Sequence, residues 1–163
     1  MMSPMRIQNL VRFAPVALLV FMLDQVSKYW LVTIYKIGAK SPVIISENFS
    51  LVMAWNRGVS FSMLTHDSGW MPLLLVAMAV IISGVLLWLA LNSAHRLERV
   101  GYAMVVGGAL GNACDRVRFG AVADFFYAHV GDLGWPAFNV ADMAICAGVA
   151  LLLFSMVKHP ARP

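Results

Sequence analysis

Long apolar runs alternate with short polar connectors along this chain, and the longest run, residues 68–94, holds no charged residue. About 20 apolar residues in a helix cross the roughly 30 Å hydrocarbon core of a bilayer. This run therefore predicts a membrane span over residues 69–92, with Trp70 and Trp88 near its ends as interfacial anchors. Three further runs have the same character. The first, residues 11–34, follows Arg6 and Arg12 as the apolar part of a secretory signal would. No small-residue cleavage site follows it, and Asp24, Gln25 and Lys28 interrupt it, so it predicts an uncleaved spanning helix. The third span covers residues 99–116 and ends in Asp115 and Arg116. The fourth covers residues 137–157, with Asp142 inside it and Lys158 behind it.

The connectors differ from one another. Residues 36–67 contain Val43-Ile44-Ile45 and Phe49-Ser50-Leu51-Val52-Met53 around the turn signal Glu47-Asn48, which predicts a small sheet or hairpin at the membrane surface. Residues 92–99 are short and polar, as a tight turn between antiparallel helices requires. Residues 116–135 are mixed in character and broken by Gly120, Gly131 and Gly134, and they read as a second loop beside the first. An even number of spans puts both termini on one side. Arg6, Arg12, Arg96, Arg99, Lys158 and Arg162 lie in short stretches flanking the helices, whereas Lys36, Lys40, Arg57, Arg116 and Arg118 are spread over the other side. The positive-inside bias then places the termini in the cytoplasm. The reading is an all-α membrane protein, one integral domain over residues 1–163, with four transmembrane helices, a small extracytoplasmic β element and short loops.

Composition agrees: 61% of the residues are hydrophobic and 12% charged, against roughly 45–50% and about 25% in soluble domains. A water-soluble globule is excluded. The net charge of +4 comes from basic residues scattered between apolar runs, not gathered on the stripe that a nucleic-acid binder needs. Cys114 and Cys146 lie in apolar runs without metal-ligand spacing and read as buried structural thiols. His66, His95, His129 and His159 are dispersed, none beside a nucleophile motif, so no metal, cofactor or serine chemistry is expected.

The acids change the picture. An ionisable group inside a membrane is costly, and so marks a functional site by default. Counted from the cytoplasmic ends at about 1.5 Å per residue, Asp24 lies about 18 Å up its helix, and Asp115 and Asp142 each about 22 Å along theirs. They reach one level. Asp24 and Lys28 are i, i+4 partners, Asn112, Asp115 and Arg116 share a face just after the small-residue pair Gly107 and Gly111, and Asn139 and Asp142 are i, i+3 on the fourth span. Asp124, in the loop after the third span, can return to the same depth because Gly120 lets the chain turn. Four carboxylates then face two cations, Lys28 and Arg116. With two negative charges left over, one acid keeps a proton, and a carboxylate pair sharing a proton can activate water against a carbonyl. Purely structural ties between helices, a scaffold subunit, and a small polytopic transporter or proton channel would also use an acid cluster, and this reading of the residues leaves them open.

Five motifs carry a resemblance: Asp24-Gln25-Val26-Ser27-Lys28, Asn56-Arg57-Gly58-Val59-Ser60-Phe61, Gly111-Asn112-Ala113-Cys114-Asp115-Arg116, Val122-Ala123-Asp124-Phe125 and Phe138-Asn139-Val140-Ala141-Asp142. In order and over nearly the whole chain, they resemble those of the bacterial lipoprotein signal peptidases, the type II signal peptidases. The resemblance implies an intramembrane aspartic endopeptidase whose catalytic pair is Asp124 and Asp142. It implies that Asp24, Lys28, Asn56, Gly58, Asn112, Asp115, Arg116 and Asn139 shape the site or hold the substrate. It also implies a substrate, a prolipoprotein cut just before a Cys that already bears a diacylglyceryl group. A monomer in the bacterial inner membrane, among membrane lipids and with its active site toward the periplasm, completes the expectation.

Overall fold

The computed structural model describes residues 3–58, 70–131 and 133–159. Val59, Ser60, Phe61 and His66, with the remainder of the 36–67 segment beyond Gly58, residue 69 of the second span, and Arg162 lie outside the described residues.

Four helices form the bundle: α1 (Pro4–Tyr29), continued by one π-helical turn (Trp30–Ile34), α2 (Met71–Asn92), α3 (Arg96–Phe119) and α4 (Val140–Lys158). The first begins earlier than its apolar run, because Ser3 caps it, accepting from the Arg6 N–H at 3.4 Å, and Pro4 stands at its start, where a missing N–H costs nothing. The third likewise exceeds its apolar run at both ends, and the polar turn before it shrinks to Ser93–His95. Its C-terminus is set by Gly120, at φ +71°, whose N–H returns to the Arg116 carbonyl. Helix α1 with its extension, α2 and α4 are long and apolar enough to cross a membrane. Trp70 and Trp88, at the two ends of α2, are both exposed.

Helix α3 is the least apolar, and it packs against all three others. A helix covered by protein is not required to suit lipid, and its surface is instead small. A Cβ on Gly107 would lie 2.5 Å from the Ala17 carbonyl oxygen of α1, and one on Gly108 would lie 2.6 Å from the Ala141 oxygen of α4. Farther down, Gly101 and Gly148 face each other across α3 and α4, each with the other's carbonyl oxygen within 3 Å of where a Cβ would sit. Phe13, Ala90, Ala103 and Val106 fill the space between α1, α2 and α3.

The loop reading of residues 116–135 is corrected. The segment contains β3 (Val122–Val130), a nine-residue strand that joins β1 (Val43–Ser46), β2 (Phe49–Asn56) and β4 (Leu133–Gly134) in one antiparallel sheet of order β1-β2-β3-β4. The glycines that suggested a loop bound the strand, and Val122, Phe125, Phe126, Tyr127 and Val130 are strand formers. The turn at Glu47-Asn48 stands where it was expected, between β1 and β2. The sheet sits on the end of α1 through buried Leu31, Ile37 and Phe125.

The cysteines are also corrected: Cys114 is half-buried and Cys146 exposed, both as free thiols. In a chain covered by lipid, an apolar run does not by itself imply the protein interior. The histidines are less dispersed in space than in sequence, for His95 and His159 stack with ring centroids 4.2 Å apart.

Because Gly148 has the Gly101 carbonyl oxygen 2.7 Å from its Cβ position, Gly148→Leu should force α3 and α4 apart at a cost of about 1–3 kcal/mol. Gly84, with nothing within 4 Å of its Cβ position, is the control. Thermal unfolding in detergent should show a lowered midpoint for Gly148→Leu and none for Gly84→Ala.

Candidate active site

The polar residues meet where the bundle passes into the sheet. Lys28 is the hub: its Nζ lies 2.8 Å from Asp24 Oδ2 and 2.9 Å from Asp115 Oδ2, and it donates to Asn112 Oδ1 at 3.0 Å. All three charged groups are buried, with Asp24 and Asp115 at 0% and 1% exposure. Each carboxylate also ties a backbone N–H from another element. Asp24 Oδ1 accepts from Ala141 of α4 at 3.0 Å, and Asp115 Oδ2 from Ala123 of β3 at 3.2 Å. The hub therefore joins α1, α3, α4 and the sheet. Gly111 belongs to the same joint, since a Cβ there would stand 2.5 Å from Asp24 Oδ2.

Asn139 lies outside α4, contrary to the i, i+3 reading. It is the N-cap, and its Oδ1 accepts from the Asp142 N–H at 3.0 Å while Asp142 Oδ2 accepts from its own N–H at 3.1 Å. This reciprocal arrangement satisfies two N–H groups at the helix start. It also leaves the Asn139 amide nitrogen to donate to Asp124 Oδ1 at 2.7 Å. One residue thus holds both Asp124 and Asp142. Asn112 is the second tie: its Nδ2 donates to Asp142 Oδ1 at 2.9 Å, while its Oδ1 accepts from Lys28 and from Asn139.

Asp124 comes from the middle of the sheet, opposite Ala54 of β2, and is 2% exposed. Burial, aided by the charge of Asp142, raises its pKa to about 6 against opposing hydrogen bonds from Asn56 and Asn139. Asn56, at the end of β2, also accepts from the Gly58 N–H at 2.9 Å. Gly58 sits at φ +104°, and a side chain there would collide with Leu75 of α2. Arg116 has a buried Nε with no partner among the described residues, and its guanidinium is in the field of Asp115, Asp124 and Asp142.

All the expected site residues among those described lie in or beside this network. Gln25 was overlooked as a site residue. Its amide donates to Asp24, to the Gly111 carbonyl and to Asp115 at 3.1–3.2 Å, and its position beside Asp24 was the available signal.

The arrangement separates the four acids into two kinds. Asp24 and Asp115 share one ammonium. Asp124 and Asp142 have no cation within 4 Å among the described residues and are joined only through amide donors. Compared with known proteins, residues 16–158 match the family described as signal peptidase (SPase) II. The chain belongs to that family. The signal peptidase II relatives include the lipoprotein signal peptidase of Beijerinckia indica, 40% identical over 93% of this chain and 88% of that protein, and that of an Azoarcus species, 44% identical over 83% and 77%. Two solved structures, each described as a bacterial membrane enzyme structure by the in meso method, are similar to this chain. One, at 2.3 Å resolution, gives a TM-score of 0.75 at 26% identity over 93% of each chain. The other, at 1.9 Å, gives 0.77 at 28% identity over 90% of this chain and 92% of that one. Family membership sets aside the transporter, channel and scaffold alternatives in favour of a peptidase.

In this signal peptidase II, Lys28→Met would leave two buried carboxylates without their cation, a change that costs about 3–5 kcal/mol. Lys28→Met combined with Asp24→Asn should recover part of that loss, because the two residues are coupled. Denaturation midpoints of wild type, single and double variants in one detergent measure both.

Proposed function

We propose that the chain is a membrane-embedded aspartic endopeptidase that removes the signal peptide from diacylglyceryl-modified prolipoproteins, cutting just before the lipidated Cys, with Asp124 and Asp142 as its catalytic pair. The observation that carries this reading is the Asn139 bridge between two carboxylates that have no cation within 4 Å among the described residues. The buried Asp124, with its pKa raised to about 6, is the member that holds the proton below that pH and hydrogen-bonds the scissile carbonyl oxygen. Asp142 accepts two N–H donors and stands in the first turn of α4, where the helix dipole favours an anion. It takes the proton from the attacking water, whose oxygen bonds to the carbonyl carbon. Collapse of the tetrahedral intermediate breaks the C–N bond and passes a proton to the leaving nitrogen.

The remaining residues divide by their contacts. Asp24, Lys28, Gln25 and Asp115 hold the elements together, and Asn56, Asn112 and Asn139 fix the pair. Asn112 is engaged within the protein, so the grip on the peptide backbone falls to Arg116, whose guanidinium has donors to spare. Gly58 keeps the wall beside Arg116 low. The site lies at one end of the bundle, the level at which two acyl chains would anchor a substrate and deliver its scissile bond. In this reading the protein is a monomer in the bacterial inner membrane, surrounded by membrane lipids and needing no cofactor. It has four spans over one domain, both termini in the cytoplasm and the active site toward the periplasm. Helix α3 is the third span, polar at its ends but sheathed by its neighbours.

Asp124→Asn and Asp142→Asn should each abolish cleavage of a lipidated prolipoprotein while the protein still inserts at normal levels. Near-normal turnover in either variant would refute the pair. The pH profile is a finer check. Because the pKa of Asp124 is raised to about 6, its proton is present below that pH and is lost above it, so kcat/KM should fall on an alkaline limb with an inflection near 6. Asn56→Ala removes a hydrogen bond to the charged form and should move that inflection upward. Reporter fusions decide the topology: a fusion after residue 158 should be active only as a cytoplasmic reporter, and one in the β1–β2 turn only as a periplasmic reporter.

A further inference from the structure

At the end of the bundle opposite the acids, a cavity of about 460 Å³ opens between α1 and α3, lined by Arg12, Val16, Arg96, Arg99 and Val100. Three arginines line it, with no carboxylate within 4 Å of their guanidinium groups among the described residues. Glu98, the nearest acid in sequence, already accepts from the hydroxyls of Ser93 at 2.6 Å and Ser155 at 3.4 Å. Arg99 is 7% exposed. Its NH1 donates to the Ser93 carbonyl at 3.0 Å, and its Nε has no partner among the described residues. A buried N–H of a charged group without an acceptor is costly. The cost is compounded because Arg96 and Arg99 stand in the first turn of α3, where the helix dipole is positive and an anion, not a cation, is favoured.

An anion in the cavity relieves the repulsion among the arginines that line it and suits the positive start of α3, and the apolar walls say which kind. Arg12, Val16 and Leu19 are spaced i, i+4 and i+7 along α1, so a guanidinium leads directly into an apolar stripe on which Leu19 is 58% exposed. A free anion has no use for that stripe, whereas an acyl chain has. We infer that this cavity binds the phosphate of an anionic phospholipid, with the headgroup among Arg12, Arg96 and Arg99 and an acyl chain along Val16 and Leu19. The site is separate from the acid network and does not depend on which residues cut the substrate.

The test uses the purified full-length protein in dodecyl maltoside, with thermal unfolding and native mass spectrometry as readouts. Phosphatidylglycerol, phosphatidylethanolamine and inorganic phosphate are compared at matched concentrations. Phosphatidylglycerol should raise the unfolding midpoint and remain bound in the mass spectrum, and the other two should do neither. Arg12 and Arg96 are exposed, so R12Q/R96Q should fold and cleave as wild type does, yet bind phosphatidylglycerol about thirtyfold more weakly, the loss implied by two basic contacts at a membrane surface. Equal stabilisation by phosphatidylethanolamine would overturn the charge requirement, and equal stabilisation by inorganic phosphate would make the ligand a free anion. An unchanged phosphatidylglycerol effect in R12Q/R96Q would place the lipid elsewhere and refute the site.

Discussion

One ammonium group, Lys28, stands between two buried carboxylates, Asp24 and Asp115, and the upper half of the molecule is assembled around that contact. Charges this deep survive only when each is paired and its remaining lone pairs are satisfied. The partners that satisfy them are backbone N–H groups of α4 and β3. The pairing therefore does more than neutralise. It ties the first and third helices to the fourth and to the sheet, and Asp124 and Asp142, the pair proposed to do the chemistry, are carried by the elements so tied.

The same economy shapes α3. Its glycines let three helices approach closely enough for short polar side chains to bridge them. Asn112 reaches Lys28, Asp142 and Asn139 at once because Gly107 and Gly108 bring α1 and α4 to backbone contact and Gly111 admits the Asp24 side chain. A bulkier α3 would be more apolar and would separate the groups it now joins.

Asn139 then makes a helix start into a bridge between two acids. Its side-chain oxygen and backbone N–H form the capping box with Asp142, and its amide nitrogen holds Asp124 on a different element. The cap, which stabilises α4, is the same structure that sets two acids side by side. Asp124 is desolvated by the sheet that carries it, and its raised pKa follows from that burial with the charge of Asp142 beside it.

The order of the apolar runs, the β1–β2 turn, the membrane setting and the membership of each acid in a polar motif were legible in the chain itself. These are local properties: apolar length, turn chemistry and residue type act wherever the segment is placed. The pairing of four acids with two cations was legible only as a count. Nothing in the spacing of Asp24, Asp115, Asp124 and Asp142 says which two would receive Lys28. Strand β3 was hidden by its flanking glycines and needed β2 as a partner. Asn139 looked like a helical residue until the start of α4 was placed. The cysteines in apolar runs proved half-buried or exposed, because in a lipid-covered protein hydrophobicity marks either surface or core. Which face meets lipid, which meets α3, and which carboxylates share the Lys28 ammonium are set by contacts between segments far apart in the chain, and only the tertiary structure brings those segments together.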